Sequence, residues 1–316
     1  MASLSYGKGV FANPKADSVF RNMFGTPKFE ALTISLINSI IPDLHVVSVE
    51  FPNPQILTGV NADRKSVIDV FCKLDNGERV IIEMQNAPQA YFAHRMVFYT
   101  SQVIATLDGQ RGEEWNYFFS NTYVIAFLNF NLQETLTDPD AEDPVICNFK
   151  TLNTGTGHKL PGSPEFYFVQ LPKFTKTLSE LRTVTDFWLY SLIEAQEHDT
   201  VPENMADKKL FSTFYAGLLR ANFSNDQEIN YINDMTTQRD INNQIKFAQE
   251  KGYAEGEAKG LAKGKAEGLA EGEAKGKAEG KMDDARAMLA DGLSIEKVAQ
   301  YTGLSKDVIE ALSNNS

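Results

Sequence analysis

Ser66–Gln85 reads SVIDVFCKLDNGERVIIEMQ, and the architecture of the chain follows from how this stretch pairs. Two apolar runs, Ser66–Leu74 and Arg79–Gln85, flank Asp75-Asn76-Gly77, the pattern of a β-hairpin closed by residues that tolerate positive φ. With a three-residue loop and Gly77 left-handed, Asp69 stands opposite Glu83 and Phe71 opposite Ile81. Side chains alternate along a strand, so Asp69, Glu83 and Gln85 then share one face. Ile68, Val70, Cys72, Val80, Ile82 and Met84 form the other, an apolar face expected to bury. A two-residue Asn-Gly loop would shift the pairing by one and send the two acids to opposite faces.

Two carboxylates directly opposite on a sheet repel unless something positive sits between them. Mg²⁺ takes oxygen ligands and binds through one or two carboxylates together with phosphate and water. An Asp, a turn and then Glu-x-Gln at a strand end is therefore a candidate Mg²⁺ and phosphate site. The alternative is a solvated strand face that merely carries an acid on each strand.

North of the hairpin, Asp17 or Ser18 is placed to cap a helix through Val19, Phe20, Met23 and Phe24, broken by Gly25-Thr26-Pro27. A second amphipathic helix spans Lys28–Ile41 and stops at Pro42, and His45–Phe51 reads as a strand. Pro52–Asp63 reads as a loop. After the hairpin comes a helix, Tyr91–Leu107, with Arg95, Tyr99 and Gln102 on one polar stripe. Asn121–Phe130 reads as a buried strand. Helix, strand, hairpin, helix and strand in that order make an α/β pattern with a mixed central sheet flanked by helices.

Asp17-x-x-Phe20-Arg21-x-x-Phe24-Gly25, Ile68-Asp69-Val70 and Ile82-Glu83-Met84-Gln85 together resemble the PD-(D/E)XK nuclease superfamily. The closer likeness is to its bacterial recombination-promoting nuclease and transposase branch. Arg95, the Val124–Phe130 strand, Leu171-Pro172-Lys173-Phe174 and a Gly-rich tail extend the resemblance over nearly the whole chain. Each motif is short; their order and spacing make the match specific. The resemblance implies a restriction-endonuclease-like fold and a Mg²⁺- or Mn²⁺-dependent DNA endonuclease. It matches Asp69 and Glu83 to the metal-binding catalytic acids and Asp17 to an acid that completes the metal site. Gln85 stands where many members have lysine, an exchange that looks normal for this branch. A lysine would orient the attacking water and stabilise phosphate charge, whereas glutamine only hydrogen-bonds. The missing charge is then expected from the metal or from Arg95, whose planar fork suits phosphate; Lys73 lies two pairs nearer the turn. The alternative function is a nuclease-fold protein without turnover that binds DNA or protein.

Thr135–Pro164, rich in Asp, Pro, Gly and Thr, reads as an irregular insertion, and Glu165–Leu171 as a short strand. Ser179–Glu197, with Trp188 as a core residue, Lys208–Leu219, and Asp226–Met235 with continuation towards Lys246 read as helices. From Gly252 to Gly280 every fourth residue is Gly, with seven Lys against six Glu over Lys251–Lys281. A four-residue period drifts about 40° per repeat on a helix, so no fixed seam forms. A solvated helical spacer is expected, with an oligomerisation helix as the alternative. Asp283–Leu312 regains a globular pattern, three short helices around Leu289, Leu293, Val298, Ile309 and Leu312 that resemble a helix-turn-helix unit. Lys306-Asp307-Val308-Ile309-Glu310 carries two acids for one base, which favours a protein-contact or dimer module over DNA targeting.

The expected division is a nuclease-like core over 1–135, a helical extension packed on it over 136–250, the repeat spacer over 251–281 and the terminal unit over 282–316. A 42% hydrophobic fraction with 21 Phe and 11 Tyr in 316 residues supports a packed core. Two cysteines, Cys72 and Cys147, are too few for a disulfide framework and point to a reducing cytoplasm, with both thiols in the core. No signal peptide or long apolar run is read, so no membrane partner is expected. A net charge of −12 argues against DNA binding by the whole surface but allows a local basic groove. Four scattered His show no metal-ligand spacing.

Overall fold

Leu74 N–H donates to the Glu78 carbonyl at 2.8 Å and Gly77 N–H to the Leu74 carbonyl at 3.0 Å, which closes a three-residue loop. Gly77 has φ +83°, where a Cβ would be strained. The computed structural model describes residues 9–52, 68–89, 91–108, 118–132 and 144–313; the first two hairpin residues and most of the expected 52–63 loop lie outside them. Strands β1 (Val49–Glu50), β2 (Val70–Leu74) and β3 (Arg79–Gln85) are antiparallel neighbours. The β2–β3 register pairs Phe71 with Ile81 and Val70 with Ile82, which carries Asp69 across from Glu83 as expected.

Strands β4 (Thr122–Leu128) and β6 (Glu165–Gln170) continue the sheet in parallel, and β5 (Ile146–Phe149) closes it antiparallel to β6. The order is β1-β2-β3-β4-β6-β5. A parallel β3–β4 pair needs a crossover, and helix α3 (Phe92–Asp108) lies within it. The sheet thus draws strands from both sides of residue 135. Gln170 ties them together, since its Oε1 accepts from Leu132 N–H and its Nε2 donates to the Pro144 carbonyl.

Strand alternation sorts the core into two layers. Val70, Cys72, Val80, Ile82, Met84, Ile125 and Phe127 pack under α1 (Asp17–Phe24), α2 (Glu30–Ile40), α4 (Val184–Glu194) and α5 (Lys208–Leu218). Trp188 of α4 is fully buried among Phe24, Phe211 and Phe214, with its indole N–H on Ser35 Oγ at 3.0 Å. Phe71, Ile81, Val124, Ala126, Leu128 and Phe168 pack instead under Phe92, Met96 and Val103 of α3. Each such apolar side chain contributes about 1.5–3 kcal/mol when buried. This is a mixed sheet flanked by helices, of restriction-endonuclease-like α/β class. Both cysteines are buried thiols outside any disulfide, and burial pushes the Cys72 thiol up to about 12.

Several local expectations are corrected. Ile68 joins the α3 layer rather than the opposite face, because it lies just before the ladder and is not bound by its alternation. The 45–51 strand shrinks to Val49–Glu50 after a 3₁₀ turn at Pro42–Leu44 and a left-handed His45. Neither Asp17 nor Ser18 caps α1, whose N-cap position is Ala16. The irregular reading of 135–164 missed β5, whose short alternation was masked by Asp and Pro before it and by the Asn153–His158 turn after it. Helix 179–197 is trimmed to α4 by 3₁₀ turns at both ends.

The chain divides into two compact units, Met1–Asn242 and Asn243–Ser316. Helix α6 (Asn225–Ala290) joins what reads in sequence as a helix and a separate repeat. Its repeat segment is solvent-exposed, and a Cβ added at any of its eight glycines would meet nothing. Exposed pairs such as Lys263–Glu267 at 3.7 Å add little, so helix propensity carries this stretch. Within the second unit, α7 (Ile295–Thr302) and α8 (Lys306–Ser313) bury Val298 and Ile309 against Ala285, and Gly303 turns between them at φ +71°. Among the described residues no helix is long and apolar enough to cross a membrane.

Candidate active site

The acid pair sits where the β2–β3 ladder stops. Asp69 Oδ2 accepts from Met84 N–H at 2.9 Å, and Glu83 Oε1 accepts from Asp69 N–H at 3.2 Å. The Asp69 carboxylate thus takes over the Met84 N–H that a further rung of the ladder would otherwise bond, and the Glu83 carboxylate holds the Asp69 N–H, so each acid fixes the other strand's backbone. Gln85 Nε2 donates to Glu83 Oε2 at 3.3 Å. Asp69, Glu83 and Gln85 are all buried, so this is no solvated strand face. Phe71 and Ile81 of the same parity lie under α3, and the acids open into a cavity of about 270 Å³ at the layer's end.

Every described residue that lines that cavity belongs to the first unit. Asp17 and Arg21 come from α1, Asn86 follows β3, Arg95 comes from α3, and Asp234 and Gln238 come from α6. Arg95 donates through Nε to Tyr99 Oη at 3.2 Å, so two members of the expected stripe are joined, while Gln102 faces solvent. Lys73 pairs with Arg79 in the ladder, is exposed and does not line the cavity. Lys15 does, but its charge interacts with Glu194 and Glu197.

Two residues of the site were not expected from sequence. Arg21 donates to Asp69 Oδ1 through both Nε at 3.0 Å and Nη2 at 2.8 Å. Its signal was available, since Arg21 follows Asp17 by four residues and so shares its helix face. Asp234 Oδ2 accepts from Ser18 N–H at 2.7 Å and from Ser18 Oγ at 2.5 Å. It thereby satisfies an otherwise orphaned amide of the first turn of α1, the task expected of Asp17 or Ser18. No local signal marks a partner 216 residues away.

Charge is unbalanced here. Burial, then the Asp69 charge, holds Glu83 well above the usual carboxylate range, against the Asp69 N–H and the charges of Arg95 and Arg21. Burial of its carboxyl, then Asp69 and Asp234, pushes Asp17 up to about 6, with Arg21 opposing. An oxygen-rich cavity in which Asp17 and Glu83 resist ionisation has the donor chemistry for a hard divalent cation, which would relieve that repulsion. Among the described residues no three carboxylate, imidazole or thiol groups converge to cage an ion. The fit is to the Mg²⁺ mode, in which one or two carboxylates suffice and water or phosphate completes the shell.

Comparison with family models gives two matches. Residues 14–248 match the PD-(D/E)XK nuclease family transposase model, a span that includes the sheet and the whole cavity lining apart from Asn13. Residues 279–314 match the C-terminal HTH domain of the Rpn/YhgA-like nuclease family, over α7, α8 and the end of α6. Comparison with curated proteins and with solved structures returned no match. With more than half of its length inside the first match, this chain belongs to the PD-(D/E)XK nuclease family transposases.

Proposed function

We propose that the chain is a Mg²⁺- or Mn²⁺-dependent endonuclease that hydrolyses phosphodiester bonds in DNA, in recombination, transposition or defence. The observation that carries this reading is the Asp69–Glu83 pair, directly opposed on adjacent strands and open to a cavity that two arginines also line. Asp69 and Glu83 would hold the metal, with Asp17 as the acid that completes the site. When bound, the metal supplies a more acidic water and neutralises charge on the phosphoryl oxygen. Gln85, held by its amide nitrogen to Glu83, leaves its carbonyl oxygen to accept from the attacking water. Arg95 offers its guanidinium to a phosphate oxygen. The cationic help that Gln85 cannot give therefore comes from neighbouring helices. The C-terminal unit, with Asp307 and Glu310 beside Lys306 on α8, is proposed as a contact module for self-association, with DNA targeting as its other use.

Supercoiled plasmid cleavage with Mg²⁺ or Mn²⁺ tests this. The parent chain is expected to nick and linearise plasmid, and EDTA or the Asp69→Ala/Glu83→Ala double substitution is expected to abolish it. Equal cleavage by parent and variant would overturn the site assignment. A second reading, a binding protein without turnover, draws on Gln85 and on the bonds that already engage both carboxylates. Folded parent protein inactive with every divalent ion would favour it.

A further inference from the structure

Arg21 is placed differently from Arg95. Both of its bonds fall on one atom, Asp69 Oδ1, while the other oxygen of that carboxylate is engaged by Met84 N–H. Both oxygens of the Asp69 carboxylate are therefore engaged by the protein itself, Oδ1 by two donors and Oδ2 by one. Beside Arg95, which also acts on Glu83, the Arg21 guanidinium interacts with Asp17, Asp69 and Glu83 together. It reaches them from α1, with its own side chain 41% exposed and that of Asp69 only 7%. A partner at the rim holding a buried carboxylate can swing outward without unpacking the core.

We propose that Arg21 is the internal counter-cation of this acid cluster. It occupies Asp69 Oδ1 in the free protein and yields that oxygen when a divalent cation enters, so the Arg21–Asp69 ion pair sets the cation affinity of the site. The inference rests on the metal-binding reading of Asp69 and Glu83. Its physical basis is competition: a guanidinium is charged at every working pH, and a dication on the same oxygen would be strongly repelled by it. The free protein is then mostly in a form that cannot bind, and the apparent affinity falls by the fraction that can. A purely structural Arg21, one that only orients Asp69, predicts the opposite sign, because its removal would loosen the ligand.

The test is Mn²⁺ binding to the full chain, read from the electron paramagnetic resonance signal of free Mn²⁺ at neutral pH and low salt. Arg21→Gln is expected to bind Mn²⁺ about tenfold more tightly than the parent, and Asp69→Asn to lose the site. Unchanged or weaker binding in Arg21→Gln, with binding still lost in Asp69→Asn, overturns the counter-cation role and leaves the metal site standing. Equal binding by parent and Asp69→Asn, or none in the parent, Asp69→Asn and Arg21→Gln alike, overturns the metal reading and this inference with it. Should Arg21→Gln fail to fold, Arg21→Lys keeps the charge but loses the fork, and a tightening of about two- to threefold replaces the larger one.

Discussion

At the scale of single residues, Asp17 and Glu83 are carboxylates that the fold holds where ionisation is costly. Asp17 makes the point measurable. Its folded value is raised from the ordinary 3.8 to about 6, so the neutral form is favoured in the folded chain. The stability this confers is complete below the unfolded value and is lost as the pH rises through about 6. At full weight the shift corresponds to about 3 kcal/mol, and outer exposure of Asp17 screens that to about 1 kcal/mol. In EDTA, Asp17→Asn is therefore expected to match the parent below about pH 4 and to exceed it by about 1 kcal/mol near pH 8. Denaturant unfolding across that range checks it; curves that stay parallel would mean Asp17 is not under this strain. Sequence alone picked out Asp69, Glu83, Gln85 and Arg95, because strand parity and helix spacing are local rules. It missed the role of Asp234, because a side chain that caps a helix from the far end of the chain obeys no local rule.

Among elements, the hairpin governs the rest. Its loop was legible because Asp75-Asn76-Gly77 has one comfortable three-residue closure, with the positive φ at Gly77. Nothing lies within 4 Å of a Cβ built there, so the cost of a side chain is purely backbone strain. Gly77→Ala is expected to destabilise the chain by about 1–2 kcal/mol, measured as a lower denaturant midpoint at unchanged slope, and Gly77→Asn by less. An effect of zero would mean the loop relaxes to another closure. The elements that were not legible failed for identifiable reasons. β5 is four residues long and stands beside turn-forming composition, so tertiary pairing with β6, not propensity, makes it a strand. The 45–51 stretch has strand-forming residues but is spent on a left-handed turn at His45, and only two residues remain to pair.

For the whole molecule, the division after Asn242 separates a unit built on long-range sheet and layer packing from one whose first stretch is solvent-exposed, with nothing within 4 Å of a Cβ built at its repeat glycines. Replacing Gly256, Gly260, Gly264 and Gly268 with Ala should therefore change little except helix propensity, worth about 1 kcal/mol per site. The expectation is a more heat-resistant circular dichroism signal at 222 nm with plasmid cleavage unchanged. Loss of cleavage would mean the glycines serve the catalytic unit. The repeat was legible as helical because Ala, Glu and Lys outweigh evenly spaced Gly. Its continuity with the helix carrying Asp234 was not, because Gly252 and the glycines that follow it read as a helix stop.

The three-residue loop also has a consequence for how such a protein can diverge over generations. Gly77 is six residues from Glu83, about 20 Å along an extended strand, and it touches no part of the cavity. Yet loss or gain of one residue in that turn would exchange the faces of β2 against β3, and one of the two acids would be turned into the apolar layer. A lineage that keeps both acids on the cavity face must therefore preserve the length of this surface turn as strictly as the carboxylates themselves, while the letters within it drift. A lineage that no longer needs the acid pair would be the one to show insertions there.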